Sequence, residues 1–246
     1  MDAGSAALLA AAGLGAGAVN AVAGGGSLIS FPALLAAGYP SITANVTNAI
    51  AVLPGYVGGS LAYRRELTGQ AARIRALALT SAAGAATGAA LLLVSPASLF
   101  EAIVPWLILA ACGLLAVQPR VAAATRAGPP RSPLALHAAV LAATVYGGYF
   151  GAGLGIMLLA ILGVLVDDGL QRLNALKGVL SLLVAVVTAA GFALFGPVAW
   201  DAAAIVGVTC LAGGALGVGV ARRLPARVLR GAVIAYGVGV AIVLLV

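Results

Sequence analysis

Long apolar runs separated by short polar connections set the pattern of this chain. They cover residues 5–37, 43–63, 76–94, 99–117, 134–166, 173–195, 202–221 and 228–246. Runs of this length suit the ~20 residues a helix needs to cross hydrocarbon. In that medium backbone groups must be satisfied internally, which leaves helices and closed barrels. The alternating polarity of barrel strands is absent, so the pattern predicts an all-α integral membrane protein. Two runs stand apart. Residues 5–37 and 134–166 are each 33 long and broken by glycine clusters, "GGGS" at 24–27 and "GAGLG" at 151–155. Each is long for one crossing and short for two, which predicts a re-entrant helical hairpin or two short helices.

The order of runs is the same in both halves, one broken block and then three ordinary spans. A shift of 129 residues lays Gly24 on Gly153, Gly26 on Gly155, Asn45 on Asn174, Thr80 on Thr209, Gly84 and Gly88 on Gly213 and Gly217, and Pro96 on Pro225. This predicts an internal duplication with a first repeat at 1–117, a basic linker at 118–133 ("QPRVAAATRAGPPRSP") and a second repeat at 134–246. The GxxxG pairs at Gly84/Gly88 and Gly213/Gly217 read as close helix packing.

Charge adds a direction. The chain of 246 residues is 63% apolar and only 8% charged, with a net charge of +7. So sparse a charge excludes a soluble domain, where about 25% is usual, and the positive balance reports topology rather than nucleic acid. Arg64, Arg65, Arg73, Arg75, the linker arginines 120, 126 and 131, Arg172, and Arg222, Arg223, Arg227 and Arg230 all fall in or beside alternate connections. The remaining connections carry Glu101 and Asp201. The positive-inside rule puts the basic loops in the cytoplasm. Three crossings per half then turn the second repeat upside down, with both termini outside. The start, "MDAGSAALLAAAG", lacks the basic segment of a cleaved signal.

Glycine-broken segments at matching places in two inverted halves point to a transporter's binding site. Gly24, Gly25, Gly26 and Ser27 form one tip, Gly153 and Gly155 the other. The helix restarting after each tip offers free N–H groups to an anion. Ser27 or Ser30 reads as its N-cap in the first half, ahead of Pro32. Asn45 and Asn48 share one helix face, as do Asn174 and Lys177, and the shift pairs the two motifs. Lys177 lies five residues beyond Arg172, ~7.5 Å deeper at the helical rise. An intramembrane charge is costly and marks a functional site. His137, near the cytoplasmic interface, reads as structural or exposed, and Pro54 beside Gly55 as a kink.

"GLGAGAVNAVAGGGSLISFPALLAAG", "ITANVTNAIAVLPG", the second-half "GAGLG" and "LNALKG", in this order and spacing, resemble the sulfite exporter TauE/SafE family over essentially the whole chain. The resemblance implies movement of a small sulfur-containing anion, sulfite or an organosulfonate, across the bacterial cytoplasmic membrane. The residues and the resemblance together give a secondary transporter working by alternating access, with Lys177 supplying charge, the tips N–H groups, and Asn45, Asn48 and Asn174 orienting oxygens. No enzyme activity, cofactor, metal or nucleic acid is expected; the partners are the anion and the bilayer, and self-association stays open. An anion channel of the same architecture is the alternative. A thiol-redox carrier using Cys112 and Cys210 is less well supported, because the shift does not pair them and no C-x-x-C spacing is present.

Overall fold

The computed structural model describes residues 1–22, 25–62, 65–124, 132–221 and 226–245, which form eleven helices and no strand. They are α1 (Ala3–Val22), α2 (Ser27–Ala36), α3 (Ser41–Ala51), α4 (Leu53–Ala62), α5 (Ala71–Val94), α6 (Ala97–Ala124), α7 (Pro133–Tyr149), α8 (Leu154–Leu165), α9 (Leu170–Phe195), α10 (Trp200–Ala221) and α11 (Ala226–Leu245). Residues 3–20, 71–94, 97–117 and 170–195 are each long and apolar enough to cross a membrane. Exposed apolar side chains such as Leu79, Val94, Phe195, Val208 and Val243 suit a surface solvated by lipid.

Each glycine-broken block folds as a long arm and a short return. At 1.5 Å per residue, α1 reaches ~30 Å and α2 ~15 Å, while α7 reaches ~25 Å and α8 ~18 Å. The two arms are therefore unequal, between a half-membrane hairpin and two full crossings. The tips turn where only glycine is at ease: Gly25 has φ +94°, and Gly151 and Gly153 both have φ +80°. Both tips stand against the same turn of α6. A Cβ on Gly25 would lie 3.6 Å from Leu115, and one on Gly153 3.4 Å from Leu114 and 3.6 Å from Ala111.

Three readings of the sequence are corrected. The run at 43–63, read as one span kinked at Pro54, is two helices, α3 and α4, parted at Val52. Pro54 has no N–H to donate to Ile50, and its ring crowds that carbonyl, so the ladder restarts there. Neither Ser27 nor Ser30 caps α2. The N-cap is Gly26, whose N–H donates to Asn20 Oδ1 at 2.8 Å, and Pro32 lies well inside the helix. Finally, the first part of the linker is helical, because α6 continues through Pro119 to Ala124.

The elements correspond under the 129-residue shift. α5 moves to 200–223, against α10 at Trp200–Ala221, and α1 moves to 132–151, against α7 at Pro133–Tyr149. The α3–α4 pair moves onto α9, and it packs antiparallel to α9. Val46 lies 3.0 Å from a Cβ built on Gly196, whereas Ser60 Oγ lies 3.7 Å from one on Gly178. α1 runs parallel to α10, with Gly13 against Val206 and Gly17 against Cys210 and Gly214. α5 runs parallel to α7, with Gly84 against Leu141 and Gly88 against Val145 and Tyr149. These seams have no room for side chains: a Cβ on Gly88 would lie 2.8 Å from Tyr149 N, and one on Gly213 2.8 Å from the Leu14 carbonyl carbon.

Polar contacts mark the two ends. At one, Asp168 takes Arg73 Nη1 at 2.8 Å and Arg172 Nε at 2.9 Å. There Gln70 Nε2 donates to the Arg172 carbonyl, and Arg172 Nη1 to the Thr68 carbonyl. The connections at 65–70 and 166–169 are thus tied together. At the other end Ser41 donates to Glu101, and Tyr39 stands beside Asp201. Burial and then that carboxylate raise the Tyr39 phenol above its ordinary value.

Candidate functional site

A cavity of about 30 Å³ lies between the halves. It is lined by Ser27 of α2, Asn45 and Asn48 of α3, Tyr56 of α4, the segment 147–151 with Leu154, and Ser181, Val184, Ala185, Thr188 and Phe192 of α9. A water needs ~10–15 Å³ of such space, so the room suits a small ion rather than a bulky metabolite. An aromatic cluster walls one side. Phe150 meets Phe31 edge-on with ring centroids 5.5 Å apart, and Phe31 meets Phe100 at 6.5 Å. Such pairs add ~0.5–1.5 kcal/mol each beyond their burial.

The asparagines are held from opposite sides. Asn45 Nδ2 donates to the Tyr149 carbonyl at 2.9 Å, tying α3 to the end of α7. Asn48 Oδ1 accepts from Ser30 Oγ at 2.5 Å. Asn48 Nδ2 has no partner among the described residues, so this amide end is the one left for a ligand. Ser30 Oγ also lies 3.3 Å from the Gly26 carbonyl, so the α2 start and Asn48 form one unit.

The second tip carries the positive features. Gly153 is the N-cap of α8, and the first turn of that helix begins at Leu154. The Ile156 and Met157 N–H groups both turn back to the Gly153 carbonyl. Gly155, in this turn, faces Lys177 of α9: a Cβ built there would lie 3.8 Å from Lys177 Cδ and Cε and 4.0 Å from Nζ. Among the described residues Lys177 has no ion pair and donates no hydrogen bond. A helix start bears roughly half a positive charge, so ammonium and helix end face one another with nothing negative between them.

The ten residues read from the sequence therefore divide. Ser27, Asn45 and Asn48 line the cavity, next to Gly151 rather than Gly153. Gly153, Gly155 and Lys177 gather at the α8 start. Gly25 and Gly26 shape the first tip through φ and the Asn20 cap. Gly24 lies outside the described residues. Asn174 is partly buried on α9 and is not among the lining residues. Elsewhere, His137 Nδ1 meets Thr80 Oγ1 at 2.7 Å. Cys112 packs against α11 and Cys210 against α1, both buried and free.

Ser181 and Thr188 were missed by sequence reasoning. Both line the cavity, at 2% and 4% exposure, and neither hydroxyl has a hydrogen-bond partner among the described residues. Their signal was the spacing 174, 177, 181, 188, which keeps to one face of a single helix.

Comparison with known proteins agrees on the class. The family model described as Sulfite exporter TauE/SafE matches residues 9–244. A protein of Sinorhizobium sp. named "Probable membrane transporter protein ORF9" is 28% identical over 233 residues, 94% of this chain and 88% of its own length. One from Haemophilus influenzae Rd, named "Probable membrane transporter protein", is 28% identical over 213 residues, 86% of this chain and 81% of its own length. No solved structure matches.

Proposed function

The chain belongs to the sulfite exporter TauE/SafE family, and from that premise we propose that this membrane transporter exports a small sulfur oxyanion, sulfite or an organosulfonate, across the cytoplasmic membrane. The observation that carries the reading is Lys177 beside the first turn of α8. An unpaired ammonium at membrane depth is costly, and the adjoining helix dipole makes it more so. An anion relieves both at once. Its charge pairs with Nζ and an oxygen accepts the Gly155 N–H, which in the first turn of α8 has no backbone partner among the described residues. Ser27, Asn45 and Asn48 stand ready as neutral donors in the adjoining cavity.

In this reading the end holding Arg73 and Arg172 faces the cytoplasm, and the end holding Glu101 and Asp201 faces outside, as do both termini. The antiparallel packing of α3–α4 on its shift-mate α9 supports an inverted repeat. Rocking of one half against the other would open the site to each side in turn. A thermal-shift series on the purified protein with sulfite, sulfate, thiosulfate, sulfoacetate and taurine tests the substrate class. A ligand stabilises by mass action, so sulfite or an organosulfonate should give the largest shift. No shift with any of these compounds would contradict the reading.

A further inference from the structure

A hydroxyl inside a helix has a default resting place, the carbonyl one turn back. Among the described residues Thr144 Oγ1 takes it on the Val140 carbonyl at 2.8 Å and Thr209 Oγ1 on that of Ile205 at 2.7 Å, and Ser95 Oγ, at the C-cap of α5, does the same on Leu91 at 2.7 Å. Ser181 and Thr188 do not, although both are buried. Leaving a buried hydroxyl unpaired costs ~1–3 kcal/mol. Ser60 and Ser81 are unpartnered too, but neither lines the cavity, whereas Ser181 and Thr188 both do.

Position along α9 says what the hydroxyls could serve. Lys177, Ser181 and Thr188 share one face. Ser181 lies ~6 Å beyond Lys177, and Thr188 ~10.5 Å beyond Ser181, in the direction away from Arg172. That is too far apart for both hydroxyls to grip one small anion, and the right spacing for successive stops. Asn48, at the far part of the cavity with Thr188, has its free Nδ2 to offer next. We propose that the Lys177–Ser181–Thr188 face of α9 is a translocation track for a singly charged oxyanion, which is captured at Lys177 and handed along the two hydroxyls through the cavity. This rests on the anion-transport reading above. The charge follows from the lining, which holds no charged side chain among the described residues. An ion leaving Lys177 meets only neutral donors, and the Born cost of desolvation grows with the square of the charge, roughly fourfold from a monoanion to a dianion.

The test is flux in proteoliposomes together with equilibrium binding in detergent, using methanesulfonate as the monoanion and sulfate as the near-isosteric dianion. Wild-type protein should bind and move methanesulfonate and move sulfate at least tenfold more slowly. Ser181→Ala and Thr188→Val should each lower methanesulfonate flux tenfold or more while binding at Lys177 changes less than threefold. Their unfolding temperature without ligand should hold or rise, since an orphaned polar group has been removed. Ser181→Thr and Thr188→Ser keep the hydroxyl and should retain most of the flux. Wild-type flux in both hydroxyl-free variants, hydroxyl-keeping variants as slow as the hydroxyl-free ones, or sulfate moved as fast as methanesulfonate would each overturn the track while leaving the transporter reading standing. Wild-type protein that neither binds nor moves methanesulfonate would overturn the track, and one that also neither binds nor moves sulfite would overturn the transporter reading as well.

Discussion

Lys177 has no carboxylate partner among the described residues, so its removal should relieve the empty protein rather than weaken it. Lys177→Met should unfold at or above the wild-type temperature without ligand, and lose the stabilisation that sulfite gives the wild type. Lys177→Arg should recover little of it, because a planar fork does not replace a compact ammonium against Gly155. Asp168 behaves oppositely. Burial pushes its carboxyl up, but hydrogen bonds from Arg73, the Gly169 N–H and Arg172, with the Arg172 charge, outweigh that and hold it below its ordinary value. A lowered folded pKa adds stability that is present above the ordinary carboxylate range and lost as pH falls through the folded pKa. Acidification below about pH 4 should therefore lower the wild-type unfolding temperature. Asp168→Asn should lack that step and start a few degrees lower at neutral pH, since partly exposed ion pairs contribute little each. Lys177 and the asparagines stood out in the sequence because such groups are rare in apolar runs, yet of the three asparagines only Asn45 and Asn48 line the cavity. Ser181 and Thr188 showed in the sequence only as places on the Lys177 face of α9, because a helical hydroxyl is normally bonded to its own backbone and only coordinates reveal one that is not.

At the scale of elements, glycine divides into two roles with separate tests. On the α5–α7 and α1–α10 seams it lets backbones touch. Gly88→Ala and Gly213→Ala should each destabilise by ~1–3 kcal/mol, the usual cost of overpacking, read as a lowered unfolding temperature in detergent. Gly113 on α6 has nothing within 4 Å of its Cβ position, so Gly113→Ala should be neutral or slightly stabilising. If all three behave alike, the close seams are wrong. Runs of hydrophobicity located the helices well, because membrane-spanning length leaves few alternatives: the run at 76–94 became α5 (Ala71–Val94), and 202–221 became α10 (Trp200–Ala221). What the runs did not reveal was set by single contacts. The α3–α4 break follows from the missing N–H of Pro54, and hydropathy is blind to it. The cap on Gly26 comes from Asn20, a tertiary contact that bridges the tip, where local capping rules look for a serine.

For the whole molecule, the ties between 65–70 and 166–172 at one end, and Glu101 and Asp201 at the other, give an expectation for labelling in cells. Single cysteines at positions 68 and 167 should react only from the cytoplasm, and those at 98 and 199 only from outside. The native Cys112 and Cys210 are buried and should stay silent. Opposite accessibility of 68 and 167 would rule out the inverted arrangement. The correspondence of helix bounds could be read from one offset, since α5 shifted by 129 residues falls on α10 and α1 on α7. The division of the site between an α8-start station and a cavity could not, since it depends on which face of α9 meets which tip. The most direct test of the account is sulfite counterflow in proteoliposomes, comparing wild-type protein with Lys177→Met. The account predicts sulfite efflux that is stimulated by sulfite on the far side in the wild type, and none above empty liposomes in a Lys177→Met protein that is inserted and folded. Counterflow at the wild-type rate in Lys177→Met would contradict it.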